Sequence, residues 1–274
     1  MKNSMEILLS RVALLGLSGV YVFLERKFPR RAQPFVRPGL KADVLHLMLT
    51  EFLTNGLVIA MVVLLWAPLQ VYKVKATSEF IEAQPAWWNA LVALFLVDLT
   101  GYWAHRAQHQ VSWLWRFHKV HHSSHQLDWF AGARRHPIDE AFGKVALFVP
   151  LVLLGFGAEV LGGLGGVLGL WVGLTHTNTR WRFTKIRRVL GTPDMHHWHH
   201  AHVDEGHGHN FGVFFTVWDR LFGTFHLPEE RPLFYGTLDP VPTTYVAQLV
   251  EPVKETRAAW KARRAANQQN VSAA

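Results

Sequence analysis

Histidine is the residue type in this sequence with the greatest capacity for chemistry, and its spacing points to metal binding. Of 17 histidines, 15 lie between His105 and His209; only His46 and His226 fall outside, and these two read as ordinary surface or core residues. His105-Arg-Ala-Gln-His109 is an H-x3-H box, His118-Lys-Val-His121-His122 an H-x2-H-H box, and His196-His-Trp-His199-His200 repeats the second pattern. On a helix, positions i, i+3 and i+4 share a face, so each box is expected to aim its imidazoles at one metal centre. Neutral imidazole binds iron, zinc, copper and nickel. A structural zinc site takes only four ligands, often with cysteine among them, and this chain has no cysteine. Eight imidazoles in three boxes therefore imply two metal ions sharing an open site. Two irons in all-nitrogen ligation suit O2 activation and removal of hydrogen from an unactivated C–H bond; zinc fits the same ligands without a redox role.

Further candidates surround the boxes. His136, followed by Pro137, Asp139 and Glu140, and His176, in Thr175-His-Thr-Asn178, are expected ligands. His125 has the spacing of a ligand or of a surface residue, and His197, His202, His207 and His209 cannot all point inward with their neighbours. Asp98 lies seven residues before His105 on the same helix face, with Tyr102 between them. A carboxylate there is expected to hydrogen-bond a ligand imidazole and fix its tautomer.

The elements that position these boxes are apolar. The chain has 274 residues, half of them hydrophobic, a mean hydropathy of +0.09 and a net charge of +8. The apolar runs make anionic lipid headgroups, not nucleic acid, the expected partner of that charge. Ile7–Leu24 is followed by Glu25-Arg-Lys-Phe-Pro-Arg-Arg, which reads as the end of a membrane helix and not as a signal-peptide cleavage site. Leu45–Leu69 and Ala86–Trp103 are two further runs, with Trp87 and Trp88 at belt positions. Residues 142–174 would make one helix about 50 Å long, beyond the ~30 Å hydrocarbon core. Pro150, Gly155 and Gly157 are expected to break it into a hairpin, and Gly162–Gly166 offers either close helix packing or a flexible turn.

The 25–41 loop carries Arg26, Lys27, Arg30, Arg31, Arg37 and Lys41, whereas the 70–86 loop carries Lys73 and Lys75, which puts the first loop in the cytoplasm. Only a hairpin then returns His196–His200 to the side of His105. Arg180–Arg188, with Trp181, Phe183 and Ile186 interleaved, is expected to form a basic interfacial helix, and Lys254–Arg264 a basic helical tail. The expected fold is all-α: a membrane bundle of about four spans, one a short hairpin, with a cytosolic His-rich helical cap. Its expected divisions are 1–90 (membrane helices), 91–228 (catalytic region) and 229–274 (basic tail).

The sequence resembles the fatty acid hydroxylase/sterol desaturase superfamily of membrane di-iron oxygenases. The resemblance rests on Asp98-Leu-Thr-Gly-Tyr102-Trp-Ala-His105-Arg-Ala-Gln-His109, Phe117-His-Lys-Val-His-His-Ser-Ser124, Arg135-His-Pro-Ile-Asp139, His176-Thr-Asn178, Pro193-Asp-Met-His196-His-Trp-His199-His200, Asn210-Phe-Gly212 and Trp218-Asp-Arg-Leu-Phe-Gly-Thr224. It implies two irons held by His105, His109, His118, His121, His122, His196, His199 and His200, with His176 and His136 completing the set. Asp98, Tyr102 and Asn178 would support these ligands. It also implies hydroxylation or desaturation of a membrane lipid such as a fatty acyl or sterol-like substrate. O2 would be the co-substrate and a separate donor of cytochrome b5 or ferredoxin type would supply electrons. The setting would be a bacterial inner membrane or endoplasmic reticulum, with the boxes on the cytoplasmic side. Relatives with a fused cytochrome b5 module carry His-Pro-Gly-Gly; here His136-Pro137 continues as Ile138-Asp139. The competing reading is a membrane metal-binding or transport protein, whose ligands would sit within the spans near the midplane.

Overall fold

The computed structural model describes residues 2–71, 75–202 and 208–272; His207 and Lys73 lie outside them. Among these residues the chain is all-helical, with three isolated β-bridges and no strand. Helix α1 (Lys2–Lys27) leads to an irregular loop, and α2 (Leu40–Leu45) starts at Gly39, whose φ of 87° few other residues adopt. A π turn (His46–Thr50) joins α2 to α3 (Glu51–Val71), and α4 (Lys75–Glu82) follows. Pro85 precedes α5 (Ala86–Gln110), consistent with the bias of proline towards helix starts. Next come α6 (Ser112–His118), a 3₁₀ turn (His121–Ser123) and α7 (Trp129–Gly132).

The expected hairpin is present. Helix α8 (Pro137–Leu154) stops at Gly155, φ 101°, and α9 (Ala158–His176) runs back. Gly155 alone makes the turn: an added Cβ there would lie 2.6 Å from the Ser78 Cα on α4. Pro150 stays inside α8, and Gly162–Gly166 continues α9 as helix, neither a turn nor a close packing seam. Short α10 (Pro193–His199), α11 (Val217–Leu221) and the long α12 (Tyr245–Ser272) complete the chain.

The core between α5, α8 and α9 is apolar: Ala93, Val97, Leu151, Phe156, Leu164 and Leu168 pack together, each removing apolar surface from water. Among the described residues, two stretches are long and apolar enough to cross a membrane, Leu40–Met61 and Ala158–His176. The other long helices are more polar at the histidine end, where α5 carries Asp98, His105 and His109 and α8 carries Asp139, Glu140 and Lys144. Outward-facing Val20, Phe23, Phe52, Ile59, Leu91 and Leu170 stay exposed, so the apolar faces of α1, α3, α5 and α9 are turned away from the core.

Below the helices, loops are tied by buried charges. The Arg37 guanidinium forks onto Asp128 at 2.6 and 2.8 Å and reaches Asp43 at 2.8 Å, and Asp43 also accepts from Arg134. Residues 180–188 depart from the expected interfacial helix. Residues 180–183 are irregular and 184–189 form consecutive turns, with Phe183 in the left-handed region at φ 48°, a conformation that single residues, not helices, adopt.

Candidate metal centre

Nine imidazoles converge in two groups. His105, His109, His118, His122 and His199 form one; His121, His176, His196 and His200 form the other, and in each group the ring nitrogens lie within 4.8 Å of one another. The groups adjoin: the rings of His122 and His200 stack with centroids 4.3 Å apart. The boxes do not map one to one onto centres, as their spacing had suggested. The second box gives His118 and His122 to one group and His121 to the other, and the third gives His199 to the first and His196 and His200 to the second. In the third box the reason is helical phase: on α10, residues i+3 and i+4 lie on opposite sides of residue i, about 60° and 40° away, so His196 and His200 stay together while His199 diverges. In the second box the chain leaves α6 at His118 and enters the 3₁₀ turn at His121, which redirects His121.

Local structure orients each ring. His105 Nδ1 faces the Phe211 carbonyl at 3.0 Å, His121 Nδ1 the Arg134 carbonyl at 3.1 Å, His176 Nδ1 the Val172 carbonyl at 2.7 Å and His199 Nδ1 the His209 carbonyl at 2.8 Å. His118 Nδ1 faces the Asp139 carboxylate at 3.0 Å, and Gln108 Nε2 donates to the same carboxylate at 2.6 Å. A carbonyl or carboxylate accepts, so each Nδ1 carries the proton and each Nε2 presents a lone pair inward.

This arrangement fits a metal ion and poorly fits an ordinary polar core. His121 and His176 Nε2 are 3.1 Å apart, and His176 and His196 Nε2 are 2.8 Å apart. For His121 and His176, both protons are already committed at Nδ1, so two lone pairs confront each other, which is repulsive unless a cation lies between them. Two nitrogens bound at right angles to one ion at about 2.1 Å stand about 3.0 Å apart. In the other group, His118 Nε2 is buried with no hydrogen-bond partner, an expensive arrangement unless it ligates. Burial holds His121, His122, His196 and His200 well below their usual pKa of 6.5, which keeps them in the neutral, ligating form.

The chain that carries these histidines has counterparts among known proteins. The fatty acid hydroxylase family model matches residues 90–224. An ornithine lipid hydroxylase of Rhizobium tropici is 32% identical over 261 residues, spanning 92% of this chain and 77% of the relative. The chain belongs to the fatty acid hydroxylase family. An alkylglycerol monooxygenase of Danio rerio is 27% identical over 74% of this chain, and a lathosterol oxidase of Mus musculus 30% identical over 58%. The chain spans about half the length of these last two, 47% and 50%. No solved structure matches it. As a family member the protein is an oxidoreductase.

Other sites expected in this hydroxylase-family chain take different positions. His136 lies outside both groups. Its Nδ1 accepts from the Ile138 backbone N–H, capping α8, and its Nε2 faces the Leu249 carbonyl at 3.0 Å, so both nitrogens are engaged in structure. Asp98 touches no histidine ring; it accepts from the Phe214 and Phe215 backbone N–H groups and from Trp218 Nε1. Asp219 does the same for Phe211 and Gly212, so these two carboxylates fix the loop whose Phe211 carbonyl orients His105. Tyr102 packs against Phe211 and its hydroxyl meets Thr224 Oγ1 at 3.0 Å. Asn178 pairs with the Arg31 backbone in both directions. His197 is buried against Thr177 O and Tyr235 Oη, and His125 faces Tyr235 O.

Two contributors went unassigned in the sequence. Asp139 orients His118, and its signal was its place three residues after His136 in the motif. Gly132 has no local signal: a Cβ there would lie 2.6 Å from the Cβ of His176, so only glycine lets α7 approach that histidine. Beside the histidines, a cavity of about 500 Å³ opens between α5, α8 and α9, walled by Leu147, Phe148, Leu168 and Val172 and by the edges of His105, His118, His121, His176 and His196.

Proposed function

We propose that the nine histidines hold two iron ions and that the protein uses O2 to hydroxylate or desaturate a C–H bond of a membrane lipid. The observation that carries this reading is the convergence of nine imidazoles in two adjoining groups, five of them at the edge of a largely apolar cavity. Bound iron would supply O2 activation and abstraction of hydrogen from an unactivated carbon. The protein's part is to hold the imidazoles in one tautomer, to position the alkyl chain along Leu147, Phe148, Leu168 and Val172, and to keep water from the reacting carbon. The relatives' names, for ornithine lipids, alkylglycerols and lathosterol, support a lipid substrate with a polar end and an apolar body.

The reading extends to placement. The protein is an integral membrane protein of about four spans, with 1–90 as anchor, 91–228 as catalytic unit and 229–274 as a basic tail. The outward apolar faces of α1, α3, α5 and α9 support burial in lipid. The histidine cap faces the cytoplasm, its arginines lie against anionic headgroups, and a separate donor of cytochrome b5 or ferredoxin type delivers electrons. The test is O2 consumption by iron-loaded protein with a reductant and a lipid extract. Iron-dependent O2 uptake with an oxidised lipid product is expected; an iron-loaded protein that consumes no O2 with any lipid class overturns the reading.

A further inference from the structure

The cavity is not uniformly apolar, and its charged lining is uneven. Asp139 is committed to His118 and Gln108, and Glu140 is committed to Lys144 at 3.2 Å and Thr54 at 3.2 Å. Arg135 is different. It lines the same cavity, it is half-buried, and among the described residues its guanidinium makes no hydrogen bond or ion pair. It stands at the histidine end, next in sequence to Arg134, whose carbonyl accepts from His121 Nδ1. A half-buried guanidinium without a protein partner offers a planar fork of five donors to a ligand. The Trp129 indole N–H, buried and without an acceptor, lies on the wall of this same cavity. The apolar lining comes from Leu147, Phe148, Leu168 and Val172, with Gly169 leaving open space where a side chain would stand.

We propose that Arg135 is the anchor for an anionic headgroup, a carboxylate or a phosphate ester, of the lipid substrate. This rests on the lipid-oxidising reading above and narrows it to a substrate class. The head sits at the histidine end and the alkyl chain runs towards Gly169, so the carbon presented to the imidazole cluster lies within a few bonds of the head and not far down the chain. Charge supports the same direction. All nine candidate ligands are imidazoles, which bring no negative charge to an ion, so divalent ions in the site would leave it strongly positive. A bidentate anion beside Arg135 offsets that charge, and Trp129 Nε1 supplies a further donor. A neutral sterol or alkylglycerol head leaves Arg135 without a counter-charge.

The experiment measures binding, not turnover. Iron-loaded protein in phosphatidylcholine nanodiscs is titrated with dodecanoate, dodecyl phosphate, dodecanol and inorganic phosphate. A charged, partly buried contact of this kind is worth about 10–100-fold in affinity. Wild-type protein is expected to bind at least one of the two anionic amphiphiles at least ~10-fold tighter than dodecanol. Arg135→Gln erases that gap with iron content unchanged, and Arg135→Lys restores part of it. Gly169→Leu, which fills the far end, weakens all three dodecyl probes alike. Equal affinity for dodecanol and both anionic amphiphiles in the wild type overturns the proposal. So does an Arg135→Gln variant that loses dodecanol and dodecanoate equally, or inorganic phosphate binding as tightly as dodecyl phosphate. Each of these results is read as binding and does not depend on O2 uptake, whose failure would instead remove the oxidase reading itself.

Discussion

The two histidine groups share a residue type but differ in what holds them. The five-histidine group draws on α5, whose His105 and His109 lie one turn apart, on the Phe211 and His209 carbonyls that face His105 and His199, and, unlike the other group, on a carboxylate, that of Asp139 on His118. The four-histidine group uses backbone support: His176 faces the carbonyl of its own helix four residues back, His121 faces the Arg134 carbonyl, and Gly132 lets α7 close against His176. A centre built on a carboxylate is tunable by one side chain. A centre built on helix ends and a close backbone approach is sensitive to anything that shifts the chain. The two halves of the site are therefore expected to fail separately.

The largest effect comes from removing a ligand from either group. His118→Ala and His196→Ala should each lose one iron and reduce turnover by more than the roughly 10–100-fold typical of changes to outer-shell partners; metal analysis of the purified variants checks which ion is lost. Gly132→Ala is next. The new Cβ must displace His176 or α7, so the ion of the four-histidine group should go while the other stays, read as iron falling from two to one per chain. Asp139→Asn sharpens the contrast from the other side, with an expected ~10–100-fold loss of affinity confined to the five-histidine group. Chelator titration that showed both sites weakened alike would break the comparison.

Smaller effects fall on residues that hold loops. Asp98→Ala leaves three donors on 214–218 without their acceptor and should cost about 3 kcal/mol of stability while both ions are retained, measured as a lower Tm at unchanged iron content. Tyr102→Phe removes contacts to Thr224 and Arg106 and should cost about 1 kcal/mol.

Much of this architecture was legible in the residues. The boxes announced eight of the nine histidines that converge, Pro85 the start of α5, and the length of the 142–174 run the need for a hairpin. The division of the boxes between groups was not legible, because it depends on where α6 gives way to a 3₁₀ turn at His121. His136 looked like a ligand because it is a histidine beside the boxes, yet Pro137 at the first turn of α8 makes it a helix cap. Asp98 is close to His105 along the chain, but the loop that claims its oxygens arrives from more than a hundred residues away. Arg180–Arg188 had the composition of an interfacial helix, and the backbone turn at Phe183 overrides it.

The most direct measurement is the iron content of the purified, reconstituted protein alongside His118→Ala and His196→Ala. The account predicts two irons per chain in the wild type and one in each single variant, with lipid oxidation lost in both. A wild type that binds one iron or none under saturating conditions, or a variant that keeps two and remains active, would contradict it.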